Sequence, residues 1–159
     1  MFRGWLSAPT GGYCAQVVVC DSPAGRLGLT TCYDVRFPEL TQRLVHEGGA
    51  QVILVPSAFT RPTGAAHWHA LLRARAIECQ AFVVAAAQVG EHNEKRASYG
   101  HSVVYSPWGD LLCDAGGEAV GVHVVDLDFE AMQNVRERMP VHAHREAALA
   151  TVHSPLRLL

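Results

Sequence analysis

The chain has 159 residues, 49% hydrophobic and 18% charged, with a formal net charge of −2. That length supports one domain with its own core, and that composition excludes a disordered chain. The charge leaves no electrostatic footprint for nucleic acid, and no apolar run reaches the roughly 18 residues of a membrane-spanning helix.

Residues 1–13 read as an irregular leader, with Pro9, Gly11-Gly12 and aromatic residues without period. Residues 15–20 form a short apolar run that suits an edge strand, and Ser22-Pro23-Ala24-Gly25 is turn chemistry. Residues 26–31 then read as a buried strand and residues 38–47 as a helix, opened by Pro38 and closed by Gly48-Gly49. Residues 51–55 are a second buried strand, stopped by Pro56. Thr63 is placed to cap a helix running to Gln80, with Trp68, Leu71, Leu72, Ala76 and Cys79 as its apolar stripe. Residues 82–87 are a third strand. Strand, helix, strand, helix, strand in short succession predicts an α/β layered fold. Residues 101–106 and 111–114 flank Pro107-Trp108-Gly109-Asp110, a hairpin signal. Residues 120–126 suit another strand, and Asp128 suits the cap of a helix ending near Met139-Pro140. No repeat or linker interrupts residues 14–146, which read as one domain, and residues 147–159 read as a tail without period.

Five cysteines, at positions 14, 20, 32, 79 and 113, form no CxxC pair. They read as free thiols of a reducing compartment, which places the chain in the cytoplasm. The mitochondrion is the alternative, because residues 1–20 carry Arg3 and no acidic residue. Cys32 stands apart, at the end of an apolar run and ahead of a helix. A cysteine there is either core, as free cysteines often are, or a nucleophile at a strand-to-helix elbow. Asp34, Arg36 and Glu39 follow at once and suit a brace for the elbow, with Arg36 gripped by a carboxylate. A nucleophilic cysteine needs a base, yet the residues before Cys32 hold one carboxylate, Asp21, and no lysine. The single lysine, Lys95, reads as a solvated loop charge. Glu78 reads as structural, paired with neighbouring arginines. The pairs His67/His69 and His142/His144 have the alternation that metal sites use, but the first starts a helix, where those positions diverge. No metal and no cofactor are expected.

The run Cys32-Tyr33-Asp34-Val35-Arg36-Phe37-Pro38-Glu39-Leu40 resembles the nucleophile motif of the nitrilase superfamily, the carbon–nitrogen hydrolases. Further similar segments follow in order: Val55-Pro56-Ser57-Ala58-Phe59, His67-Trp68 with the arginine-rich helix to Glu78, Ala85-Ala86-Ala87-Gln88, and Tyr99-Gly100-His101-Ser102 with Ser106-Pro107-Trp108-Gly109. The resemblance covers residues 22–146. Residues 92–102 are most similar to the branch that acts on deaminated glutathione.

The resemblance implies a partial α-β-β-α sandwich, corresponding to the C-terminal half of such a domain. It also implies a hydrolase acting on a small amide, with Cys32 as nucleophile and the Tyr33 N–H as oxyanion donor. Ser57, Ala58 and Phe59 would line the substrate pocket. The family's glutamate base and lysine lie upstream of its cysteine and have no counterpart here, so turnover by this chain is expected to be impaired. The alternative is a non-catalytic binding partner of a full-length paralogue. In either case a half sandwich leaves apolar surface uncovered, and self-association or pairing with a paralogue is expected.

Overall fold

The computed structural model describes residues 17–118 and 120–152. The expected leader at 1–13, Cys14 and residues 153–159 lie outside the described residues. Strands β1 (Val19–Ser22) and β2 (Gly25–Leu29) form an antiparallel hairpin. Its turn requires Gly25, whose φ of +94° few L side chains tolerate. β2 runs parallel to β3 (Val52–Leu54), and β3 parallel to β4 (Phe82–Ala85). Two later strands complete the sheet, the first antiparallel to β4 and the second antiparallel to the first. With β5 (Val89–Asn93) and β6 (Arg96–Tyr99) set aside as a separate hairpin, they are β7 (Val103–Tyr105) and β8 (Leu111–Asp114). The six-stranded order is β1-β2-β3-β4-β7-β8.

Parallel neighbours need crossovers, and helices supply both. α1 (Pro38–His46) links β2 to β3. A continuous helical run links β3 to β4: α2 (Arg61–Thr63), a π-helical stretch (Gly64–Trp68) and α3 (His69–Cys79). This run begins earlier than the sequence predicts. Thr60, not Thr63, occupies the cap position, because Pro62 is already preset for a first helical turn. Gly64 then lies directly against the Tyr99 ring, where a Cβ has no room.

The strands' period of two divides the apolar residues between the sheet's faces. Ile53, Val83, Ala85 and Val103 pack with Leu44 of α1 and with Trp68, Leu72, Ala76 and Cys79 of the second crossover. Val52 and Phe82 face the other way and meet Met132 of α4 (Phe129–Arg138), with Leu27, Leu54, Val84 and Phe129 around them. Each fully buried side chain of this size contributes on the order of 1.5–3 kcal/mol. Asp128 caps α4 as expected, its Oδ1 accepting the Ala131 N–H at 2.9 Å. No helix among the described residues is long and apolar enough to cross a membrane.

Three elements differ from the sequence expectation. The β5–β6 hairpin was not anticipated, because its Glu91, His92, Glu94, Lys95 and Arg96 mask any apolar alternation. Residues 120–126 form no strand: Val120, Val122 and Val124 are 92%, 93% and 89% exposed. Their alternation is that of a strand, but no neighbouring strand among the described residues completes a ladder. The region expected to be a tail without period contributes to a helix, α5 (Val141–Val152). Its alanines favour helix by intrinsic propensity rather than through an amphipathic stripe.

α5 packs on α1 through two histidines. The His46 and His142 rings meet edge to face at 4.4 Å, and His142 Nε2 donates to the Cys79 carbonyl at 2.9 Å. Burial, reinforced by the positive charges of His142, Arg145 and Arg136, pulls the His46 pKa down from 6.5 to about 4. Burial also lowers that of His142, against the bond to Cys79. The unfolded chain therefore takes up protons that the folded chain refuses, and stability falls as pH drops from 6.5 towards about 4. Urea melts should show a lower midpoint at about pH 5 than at about pH 7, with a shallower pH dependence in His46→Leu.

Candidate active site

The parallel strands end together, and their last hydrogen bonds shape a cleft. Beyond β2, the Thr30 N–H and hydroxyl both donate to the Leu54 carbonyl, at 3.1 and 2.8 Å. Two residues on, the Cys32 N–H donates to the Pro56 carbonyl at 2.8 Å. Beyond β3, the Ser57 N–H donates to Ala86, and the Gln88 N–H returns a bond to Ser57, both at 2.9 Å. The result is a cleft of about 480 Å³ lined by Cys32, Pro56, Ser57, Ala58, Ala86, Ala87 and Gln88. It lies outside the carboxyl ends of parallel strands, where open α/β sheets place ligands.

Cys32 enters this cleft from a strained turn. Its φ of +45° is left-handed, which costs a non-glycine residue on the order of 1–2 kcal/mol. Such strain persists only where surrounding bonds over-determine the conformation. Here the bond to Pro56 holds one side. On the other, the Asp34 carboxylate accepts the Thr31 N–H at 2.8 Å, while the Asp34 N–H donates to the Thr31 carbonyl at 3.0 Å. A 3-10 turn (Cys32–Arg36) follows, anchored by the fully buried Val35. Tyr33 stands in its first turn, where amides lack an intrahelical acceptor.

The turn is gripped from beneath by Arg75 of α3, the arginine that also pairs with Glu78 as the sequence leads one to expect. Arg75 is buried; its Nε donates to the Val35 carbonyl and its Nη1 to Glu78 Oε1, each at 2.9 Å. Arg73 instead donates to the Gly109 carbonyl. Gln88 also lines the cleft, directly after the apolar run of residues 82–87, where the sequence carries no pocket signal.

Three expected site residues take other places. Phe59 is buried and packs on Trp68, with ring centroids 4.8 Å apart, so its side chain belongs to the core rather than the cleft lining. Its size and the helix that follows favour that burial. No carboxylate holds Arg36 among the described residues. Its guanidinium lies over the Phe59 and Tyr33 rings, at 5.3 and 5.6 Å, with His67 Nδ1 at 3.4 Å. Aromatic faces satisfy a planar cation without a counter-ion. Glu39 is exposed in the first turn of α1 and makes no hydrogen bond or ion pair among the described residues.

Among the described residues the cleft lining carries neither carboxylate nor lysine. Lys95 is exposed at the β5–β6 turn, its N–H bonded to the Asn93 side chain. The two histidine pairs do not act as pairs: His67 turns to Arg36, while His69 Nδ1 meets the Tyr105 hydroxyl at 2.8 Å. Cys79 is inert in the core, where burial pushes its thiol up to about 12.

A layered α/β sheet with a strained cysteine over the strand ends defines the class of protein. The match to the carbon-nitrogen hydrolase family model spans residues 5–137, and the chain belongs to that family. It is 52% identical over 131 residues to the deaminated glutathione amidase of Dictyostelium discoideum, covering 82% of this chain and 45% of that protein. It superposes on Saccharomyces cerevisiae Nit3, a member of branch 10 of the nitrilase superfamily. That match has a TM-score of 0.74 and 33% identity, and covers 82% of this chain and 48% of Nit3. The amidase from Nesterenkonia sp. AN1, in a mutant form showing Michael addition of acrylamide at its active site cysteine, matches with a TM-score of 0.64 and 32% identity. Coverage there is 89% of this chain and 54% of that one. The chain thus spans about half the length of the proteins it matches.

Removing the Arg75 anchor should loosen the elbow. The Val35 carbonyl would lose its donor, and a buried polar group left unsatisfied costs about 1–3 kcal/mol. Arg75→Met is expected to lower the urea midpoint by a corresponding amount, whereas Arg73→Met, at a partly buried carbonyl contact, should cost clearly less.

Proposed function

We propose that this chain carries the nucleophile portion of an amidase site, with Cys32 attacking the carbonyl carbon of a small ω-amide of the deaminated glutathione type. The observation that carries the reading is the strained Cys32, held at φ +45° over a cleft at the strand ends. The similarity to deaminated glutathione amidases supports the substrate class. In the proposed reaction the Cys32 sulfur bonds to the amide carbon. The carbonyl π electrons move onto oxygen, where the Tyr33 N–H can meet them; their return breaks the C–N bond, and the nitrogen leaves as ammonia with the proton given up by the thiol. Water then cleaves the thioester and restores the thiol.

The thiol and the attacking water each need a base, the leaving nitrogen needs that base's conjugate acid, and the oxyanion needs a second donor. The described cleft lining provides no carboxylate and no lysine, and losing one member of such a catalytic unit costs on the order of 10³-fold or more. Ammonia release from ω-amides by this chain is therefore expected to match that of its Cys32→Ala form. The thiol itself should still react. Limiting acrylamide followed by peptide mapping should label Cys32 ahead of Cys20 and Cys113 and leave Cys79 untouched. Labelling that favours another cysteine in the folded chain rejects Cys32 as the nucleophile.

One observation favours the second reading, a binding role toward another copy or a full-length paralogue. Val120, Val122 and Val124 present an apolar row outside any ladder of the described residues. Such rows are templates for strand addition. Light scattering of the chain should show concentration-dependent association, reduced in Val122→Glu. A strict monomer at all concentrations removes the self-pairing form of this reading.

A further inference from the structure

A second cluster of chemistry-bearing side chains lies apart from Cys32. His69 at the start of α3, His101 in the loop before β7 and Asp114 at the end of β8 bring one ligand-type atom each within 4.8 Å of one another. His101 Nδ1 is 3.0 Å from both Asp114 oxygens, and His69 Nε2 is 3.8 Å from Asp114 Oδ2. Two imidazoles thus converge on one carboxylate. The distance from His69 is too long for a hydrogen bond, so its Nε2 meets Asp114 through charge alone and makes no hydrogen bond among the described residues.

Each member is held in place by something else. The His69 ring is oriented by the Tyr105 hydroxyl on Nδ1, at 2.8 Å. With Nδ1 donating to that hydroxyl, the ring is oriented as an outer hydrogen bond orients a metal-binding histidine, and Nε2 is left facing the cluster. His101 sits at a left-handed φ of +56°. Its carbonyl accepts the Trp68 indole N–H at 2.7 Å, and its ring stacks on Tyr99 at 4.4 Å. Asp114 Oδ1 accepts the Gly116 N–H at 2.8 Å. Burial opposes the Asp114 anion, yet that N–H and the two imidazoles hold its carboxyl below the usual carboxylate range. The three side chains remain 33%, 27% and 27% exposed, so water reaches them.

We propose that His69, His101 and Asp114 form a binding site for a divalent first-row metal ion, for which zinc is the best match, with the fourth position taken by water. Tetrahedral zinc holds nitrogen and oxygen ligands at about 2.0–2.1 Å, which sets neighbouring ligand atoms about 3.3 Å apart. The two separations to Asp114, 3.0 and 3.8 Å, straddle that value, and all three ligand atoms lie within 4.8 Å of one another, so the imidazoles must rotate inward to close the site. Nitrogen and carboxylate donors suit zinc over softer or harder ions. Any proton on the ligating His101 Nδ1 moves to its Nε2 or to solvent as the metal binds. The ion would tie the edge strand β8 to α3, so its effect is structural and independent of the amidase reading.

The test is calorimetric titration of the intact chain with zinc chloride, with thermal melts in zinc and in EDTA. One equivalent should bind, raise the melting temperature, and be reversed by the chelator. His69→Asn, which retains a donor for Tyr105, and Asp114→Asn should each weaken binding by at least about tenfold. Cys32→Ser and His142→Ala should leave it unchanged. Cobalt substitution gives a reading that needs no variant: ligand-field bands are expected without a thiolate charge-transfer band. A thiolate band, loss of binding in Cys32→Ser, undiminished binding in His69→Asn and Asp114→Asn, or no stoichiometric zinc each overturns the site.

Discussion

The parallel pairing of β2, β3 and β4 continues past the strands, and the cleft exists because it does. Where a ladder ends, backbone donors and acceptors must find partners or face a desolvation cost of ~1–3 kcal/mol each. Here the ladder hands its last bonds to loops: Thr30 and Cys32 donate to Leu54 and Pro56, Ser57 to Ala86, and Gln88 to Ser57. Those bonds fix the loop backbones laterally, so the cleft walls are set by sheet register. A slip of one residue would reverse every side chain and remove the thiol from the cleft.

Arg75 joins this frame to the helical layer. A buried guanidinium is costly unless fully paired, and Arg75 meets that demand with one backbone carbonyl of the elbow turn and one carboxylate of its own helix. The same helical run carries His67 towards Arg36 and His69 towards Tyr105. The π-helical stretch ahead of α3 rotates successive side chains away from the α-helical pattern, and both histidines sit in or beside it. Elbow, core and the β8 edge are thereby reached from one helix.

Much of this was legible in the sequence because it depends on local signals. The strands before Cys32 and before Pro56, the helix opened by Pro38 and the Pro107–Asp110 turn announce themselves through apolar runs and turn chemistry. The resemblance to carbon–nitrogen hydrolases then joined them in order. What sequence missed depends on partners far along the chain. Residues 120–126 alternate like a strand, but alternation does not supply the neighbour that makes one. The charged β5–β6 hairpin hides the opposite case, in which pairing is present without an apolar pattern. Arg36 was expected beside a carboxylate because charge pairing is the default for a guanidinium, yet two aromatic faces do the same work. In the sequence His69 pairs with its neighbour His67, while its spatial partners are His101 and Asp114.

The left-handed backbone at Cys32 bears on selection as well as on chemistry. At φ +45° every side chain with a Cβ is penalised, and glycine is the residue that relieves the strain. A Gly there would make the turn easier to fold and would abolish the thiol. Mutational drift acting on stability alone therefore pushes this position away from cysteine. Occupancy by cysteine is a standing cost, on the order of 1–2 kcal/mol, in a chain whose whole margin is of the order of 10.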